Sequence, residues 1–285
     1  MSRAPAGTRR RSGGQAKRPR RSGRGTLSRR LPSRGRVMAL LLFAGLVGGL
    51  VTLLNGPWLR VAQVEHAGER YTPPAALLAL LDDYLDWPLL ALDSAVVEDR
   101  LMQLPAVAEA RVRPLLPDRL SVEIVEKAAA ATWLTPGARL VLATDGAVIA
   151  ALPRGEELTP ELAALPAVDD QRSESRWLDV GGAVPQAELD AARRLLGLDP
   201  ELIGSAARGY AVHIHDEYGF ILVSSRPAWR AAMGFYQAAP GETQEMAAAR
   251  FEAQVTALRT LFVERREGTV TWVDARNPGK VYWAP

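Results

Sequence analysis

The sequence predicts an α+β protein with a single membrane-spanning helix near its N-terminus, then a small β-α-α-β-β module continued by a mainly β region that holds one long helix. Three observations carry that expectation. Charge is segregated: the first 36 residues hold 13 of the 35 Lys and Arg and no acid, so residues 37–285 set 22 bases against 32 acids. An uninterrupted apolar run follows at 37–54. Beyond it, apolar residues recur first at helical spacing and then at alternate positions.

Residues 1–36 are Arg, Gly, Ser and Pro with almost nothing apolar. Such a segment buries too little surface to offset its ordering entropy, so it reads as a disordered basic tail. The run VMALLLFAGLVGGLVTLL at 37–54 has Thr52 as its one polar residue. At helical rise it reaches about 27 Å, close to a hydrocarbon core of roughly 30 Å. Asn55-Gly56-Pro57 stops the helix, and Trp58 suits the interface. A cleaved signal peptide fits less well, because the charged region is too long, the apolar stretch exceeds an h-region and no A-x-A site follows. Arg29, Arg30, Arg34 and Arg36 place the tail in the cytoplasm and the bulk of the chain outside, a type II arrangement. The tail's basicity also suits nucleic acid, but no aromatic residue is interleaved for base stacking. Topology and attraction to anionic lipid explain it better, and no nucleic-acid partner is expected.

Residues 58–127 form the first folded module. WLRVAQV at 58–64 is strand-like and Gly68 follows in a turn. Thr72 is placed to cap a helix whose first turn holds Pro73 and Pro74. Leu77, Leu78, Leu81, Tyr84 and Leu85 make its apolar face, and Trp87-Pro88 breaks it. Asp93 or Ser94 caps a second helix carrying Val96, Val97, Leu101 and Leu104, ended by Pro105. A strand over 107–115, a turn at 116–119 and LSVEIVE follow. In that last strand Leu120, Val122 and Ile124 alternate with Ser121 and Glu123, the pattern of a strand with one buried face.

In the second module, 128–285, Ala128 to Ala131 is a small-residue strand or bend. RLVLATDGAVIAA at 139–151 reads as a hairpin about Asp145-Gly146. Residues 177–180 are a further candidate strand, 187–196 a short helix, and YAVHIHDEYGFILVS at 210–224 a second hairpin. Thr243 caps a long helix reaching towards Gly268, with Phe251, Val255, Leu258 and Phe262 in one stripe. Two short β segments around Asn277-Pro278-Gly279 close the chain. Trp133, Trp177, Trp229 and Trp272 are candidate core residues.

Chemistry is hard to find. Zero cysteines exclude disulfides and thiolate metal sites. His213 and His215 share a strand face beside Asp216, a conceivable metal pair but more simply a solvated one. Gly204-Ser205 lacks the flanking glycines of a nucleophile elbow. Gly181-Gly182 lacks a following Lys-Ser/Thr for phosphate, and Asp82-Asp83 sits on an exposed turn. No constellation for catalysis, and no cofactor site, is expected.

The stretch LLALDSAVVEDRLMQLPAVAEARVRPLLPDRLSVEIVEKAAAATW resembles the POTRA domain of the FtsQ/DivIB family of cell-division proteins. LxLD, LPxV, VR, LPDxLxVEIVE and the closing Trp133 carry the likeness in order, just after a membrane span and a basic tail. Ala106 and Ala129 depart from it, where Trp and Pro are usual. The C-terminal VDxR, turn and VxWAP also resemble that family's terminal strands, on Val273, Asp274, Arg276, Val281, Trp283, Ala284 and Pro285. Residues 152–186 fit its pattern poorly.

The resemblance implies a β domain that continues the sheet of the POTRA module. It also implies a non-enzymatic divisome scaffold at the septum. Implied partners are membrane proteins of the FtsB/FtsL type, with FtsK and the septal peptidoglycan synthase complex. A membrane-anchored envelope hydrolase and a POTRA-type export accessory are the competing readings. Addition of a partner strand to the last strand of the chain is the expected binding mode. Val281, Tyr282 and Trp283 would supply the edge and its aromatic anchors, and Arg276 and Lys280 would pair with acidic groups. Packing on the domain core is the alternative role for Trp283. Val112 and Arg113 match a region implicated in recruitment, with plain sheet structure the alternative for Val112.

Overall fold

The computed structural model describes residues 34–54, 56–236, 244–277 and 279–285, with the backbone alone at 244. Most of the basic tail, the Thr243 cap and Pro278 of the closing turn lie outside these residues.

Helix α1 (Arg34–Leu54) begins three residues before the apolar run and buries no side chain. It is long and apolar enough to cross a membrane. The remainder, from Leu53 on, is a separate compact unit.

In this unit the chain first makes a 3-10 turn at Pro57–Leu59, where a strand was expected. Pro57 fixes a turn conformation there, and β1 (Gln63–Ala67) starts five residues later than the apolar pattern suggested. Helix α2 (Pro74–Leu81) has Pro73 rather than Thr72 at its cap position. No side chain caps α2, and the nearest side-chain acceptor serves the residues just before it. Glu126 accepts the backbone N–H groups of Tyr71 and Thr72 at 2.8 and 2.7 Å. Leu77, Leu81 and Tyr84 are buried as their spacing requires, whereas Leu78 and Leu85 are exposed. Asp93 caps α3 (Ser94–Leu101) by accepting from Ala95 N–H. Strands β2 (Val107–Leu115) and β3 (Arg119–Glu126) follow, and the sheet runs β1-β3-β2 with β1 and β3 parallel. Leu120, Val122 and Ile124 pack beneath the two helices with Val97 and Leu101.

Strand β4 (Ala129–Leu134) opens a second sheet. The expected continuation of the first sheet does not occur at the level of hydrogen bonding, because the three strands and the later nine form separate ladders. Lys127 N–H bonds to Ala106 O at the crossing point. The hairpin β5 (Arg139–Ala143) and β6 (Val148–Leu152) lies as expected. A short helix α4 (Pro160–Ala163), capped by Thr159, leads to β7 (Ala167–Asp170). Helix α5 (Gln186–Leu196) then crosses to β8 (Ala211–His215), β9 (Gly219–Ser225) and β10 (Ala228–Gly234). Helix α6 (Gln244–Glu264) crosses to β11 (Trp272–Asp274) and β12 (Tyr282–Ala284). The sheet order is β12-β11-β10-β9-β8-β7-β4-β5-β6.

Residues of α5 and α6, including Leu189, Leu195, Phe251, Leu258 and Phe262, share a core with sheet residues such as Trp133, Phe220, Leu222, Trp229 and Val273. A smaller cluster at the junction joins Ala106 and Tyr71 of the first module to Val141, Ile149 and Leu162 of the second. Two ion pairs span the same junction, Arg70–Glu161 and Lys127–Asp145.

Residues 177–180 are not a strand: Trp177 ends a 3-10 turn and is 81% exposed rather than core. The strand of that region is β7 instead. Its Asp170 points inward beside Val168, because Arg172 donates to it twice and Trp133 Nε1–H once, at 2.8–2.9 Å. Arg172 also donates to both oxygens of buried Glu188 on α5. Burial disfavours the Arg172 charge, but these carboxylate bonds outweigh it and its pKa is raised.

Candidate partner-binding edge

Strand β12 ends the nine-stranded sheet. It pairs with β11 alone, through Asp274–Tyr282, Val273–Trp283 and Trp272–Ala284. The Thr271 hydroxyl donates to Pro285 O at 2.7 Å and fastens the chain's last residue. The other edge of β12 is unpaired among the described residues, which leaves a row of backbone donors and acceptors available.

Side chains alternate across this edge. Val281 packs on the main core. It lines a groove of about 480 Å³ with Trp283 and with Thr256, Thr260, Leu261 and Glu264 of α6. Trp283 is 40% exposed, and the Arg265 guanidinium lies 5.3 Å from its ring centroid. Tyr282 is 56% exposed.

Arg276 is engaged inside the chain. It donates to both carboxylate oxygens of Asp274 at 3.0 and 2.7 Å and to Glu217 O at 3.3 Å, and it stacks over Tyr218 at 5.1 Å. The Asp274 hydrogen bonds raise the Arg276 pKa, and the same bonds hold the Asp274 carboxyl below its usual range. Arg276 thus clamps the β8–β9 turn to the β11–β12 connection. Lys280 is exposed and, among the described residues, holds no ion pair.

The second predicted surface divides. Val112 is buried in the first core, and its N–H on the free edge of β2 is taken by Glu98 Oε1 at 2.8 Å. Arg113 is exposed, opposite Ser121. His213 is half-buried with Gln171 3.5 Å away, and burial lowers its pKa. Among the described residues no three His, Asp or Glu side chains are grouped to hold a metal ion.

Residues 59–127 match the family model of the FtsQ-type POTRA domain. The chain carries an FtsQ-type POTRA domain. It is 32% identical over 108 residues to a cell division protein FtsQ of Caulobacter vibrioides, covering 38% of this chain and 36% of that protein. It is 30% identical over 136 residues to the FtsQ of Streptomyces bingchenggensis, 47% of this chain and 51% of that one. The FtsQ of Chloroflexus aurantiacus is 28% identical over 174 residues, 60% of each chain. These alignments span from about a third to three-fifths of the relatives' length.

Within this FtsQ-type chain, sequence reasoning missed the α6 wall of the groove beside β12. The signal was there in Thr256 and Thr260, a small polar pair at i, i+4 on the face turned from the Phe251–Leu258–Phe262 stripe. It also missed Glu267. This residue accepts from Ser205 Oγ, Ala206 N–H and Trp229 Nε1–H, tying the end of α6 to β10 and to the turn before β8.

Proposed function

We propose that this protein is a non-enzymatic scaffold of the bacterial division machinery. In this reading α1 anchors it in the inner membrane at the septum, with the N-terminus cytoplasmic and the two folded modules outside. Its partners are single-span coiled-coil proteins of the FtsB/FtsL type, with FtsK and the septal synthase complex beyond them. The observation that carries the reading is the outer edge of the terminal strand β12, unpaired among the described residues, with Tyr282 and Trp283 exposed on it. A partner's extended segment adds to that edge, main-chain bonds supply affinity, and the aromatics supply anchoring area.

Division of labour among the basic residues follows from their contacts. Lys280 meets the partner's acidic groups, whereas Arg276, already paired with Asp274, holds the edge in place. On the POTRA domain, exposed Arg113 is the contact residue, and buried Val112 supports the strand that presents it.

The test is capture from native membranes by the full chain, beside a chain ending at Gly279. Capture of single-span coiled-coil proteins by the full chain alone supports scaffold and edge together. Capture by both moves the interface elsewhere, and capture by neither refutes the scaffold role.

A further inference from the structure

The first module exposes large apolar side chains at the end where the chain leaves α1. Trp58, Trp87 and Leu90 are 64%, 50% and 57% exposed. They belong to two segments held side by side. Arg60 bridges Pro88 in antiparallel fashion, Val61 N–H donates to Trp87 O, and Asp86 N–H donates to Val61 O. In an antiparallel pair, residues before Arg60 and residues after Pro88 lie towards the same end. Trp58 and Leu90 therefore share an end, and Trp87 adjoins Pro88.

These side chains are held outward. The Trp87 ring packs edge-on against Tyr84, centroids 6.1 Å apart, and Tyr84 is buried. Arg60, exposed between the two tryptophans, is steadied by a bond from its Nη1 to Asp86 O at 2.9 Å. Chain length fixes what they meet. Residues 55–57 alone separate Leu54 from Trp58, so Trp58 is tethered within roughly 14 Å of the end of α1. If α1 crosses a bilayer, that distance keeps Trp58 at headgroup depth, where Trp is enriched and arginine reaches phosphate.

We propose that Trp58, Trp87 and Leu90, with Arg60 among them, form a lipid seat that inserts into the outer-leaflet interface. The seat fixes the orientation of the POTRA domain on the membrane. Its occupant is phospholipid: acyl-chain boundary for the two indoles and Leu90, headgroup phosphate for the guanidinium. The proposal rests on the reading that α1 spans the membrane.

The cysteine-free chain allows a direct test. Single-cysteine variants L46C in α1, L90C in the seat and S225C at the end of β9 are made in the full-length protein. Each is labelled with an environment-sensitive fluorophore and reconstituted into phosphatidylglycerol/phosphatidylethanolamine vesicles containing a spin-labelled lipid quencher. The expected result is blue-shifted, quenched emission at 46 and 90, with quenching at both several-fold above that at 225. Trp58→Ser together with Trp87→Ser then brings position 90 down towards the value at 225. Quenching at 46 but not at 90 overturns the seat while leaving the span intact, and assigns the patch to a protein partner. Quenching at neither position refutes the span and the seat with it.

Discussion

Replacing Arg172 by Met should destabilise the second module more than any single surface change. The Arg172 guanidinium donates to Asp170 at 2.9 and 2.8 Å and to Glu188 at 3.1 and 2.8 Å, and all three side chains are at least nine-tenths buried. Methionine fills similar volume but leaves two carboxylates facing each other without a cation. Breaking a buried pair from one side costs about 3–5 kcal/mol. At about 2–4 °C per kcal/mol for a unit of this size, the melting temperature should fall by roughly 6–20 °C. The assay is thermal unfolding of the full-length protein followed by near-ultraviolet circular dichroism, which reads the asymmetry around Trp133, the residue bonded to Asp170. Arg172→Lys should fall between wild type and Met, because it keeps the charge and loses the bidentate fork. A loss below about 1 kcal/mol for Arg172→Met, the scale of a solvated pair, would refute the reasoning.

Four further outcomes follow. Gly219→Ala should distort the β8–β9 turn, because φ is +66° and a Cβ would lie 2.4 Å from Gly234 O. A loss of about 1–3 kcal/mol or more is expected in denaturant unfolding. Burial opposes charge on Glu126, but its bonds from Tyr71 and Thr72 prevail and hold its pKa below the usual 4.5. Its stabilising contribution is therefore complete above that value and lost as pH falls through the lowered one. Glu126→Gln should flatten this acid response, and a slope identical to wild type below pH 4.5 would count against the role. Lys280→Glu should weaken partner binding in calorimetry at low salt more than at high salt. Arg276→Lys should act instead through the Asp274 clamp, loosening the terminal turn.

Much of this architecture is legible in the sequence where the physics is local. Leu120, Val122 and Ile124 alternate in and out because β3 has one buried face, and their burial follows. Asp93 caps α3 from two residues away, and Asp145-Gly146 turns the β5–β6 hairpin. Strand β7 is illegible for the opposite reason. It places Asp170 on its core side, and the residue that makes this tolerable, Arg172, lies beyond the strand and is itself held by Glu188 on α5. Strand β10 hides because Ala231 and Ala232 carry little strand signal, although Trp229 and Met233 are buried on it. At the candidate edge, the aromatics and Lys280 are readable from their place at the chain's end. The engagement of Arg276 is not, because its partners include Glu217 and Tyr218, nearly sixty residues earlier.

Amide hydrogen exchange of the full-length protein, alone and bound to an FtsB/FtsL-type partner, tests the edge-strand mechanism most directly. Strand addition predicts protection gained at residues 281–284 on binding, with little change in the first sheet. Protection confined to the POTRA domain, with β12 exchanging as fast in the complex as alone, would contradict it.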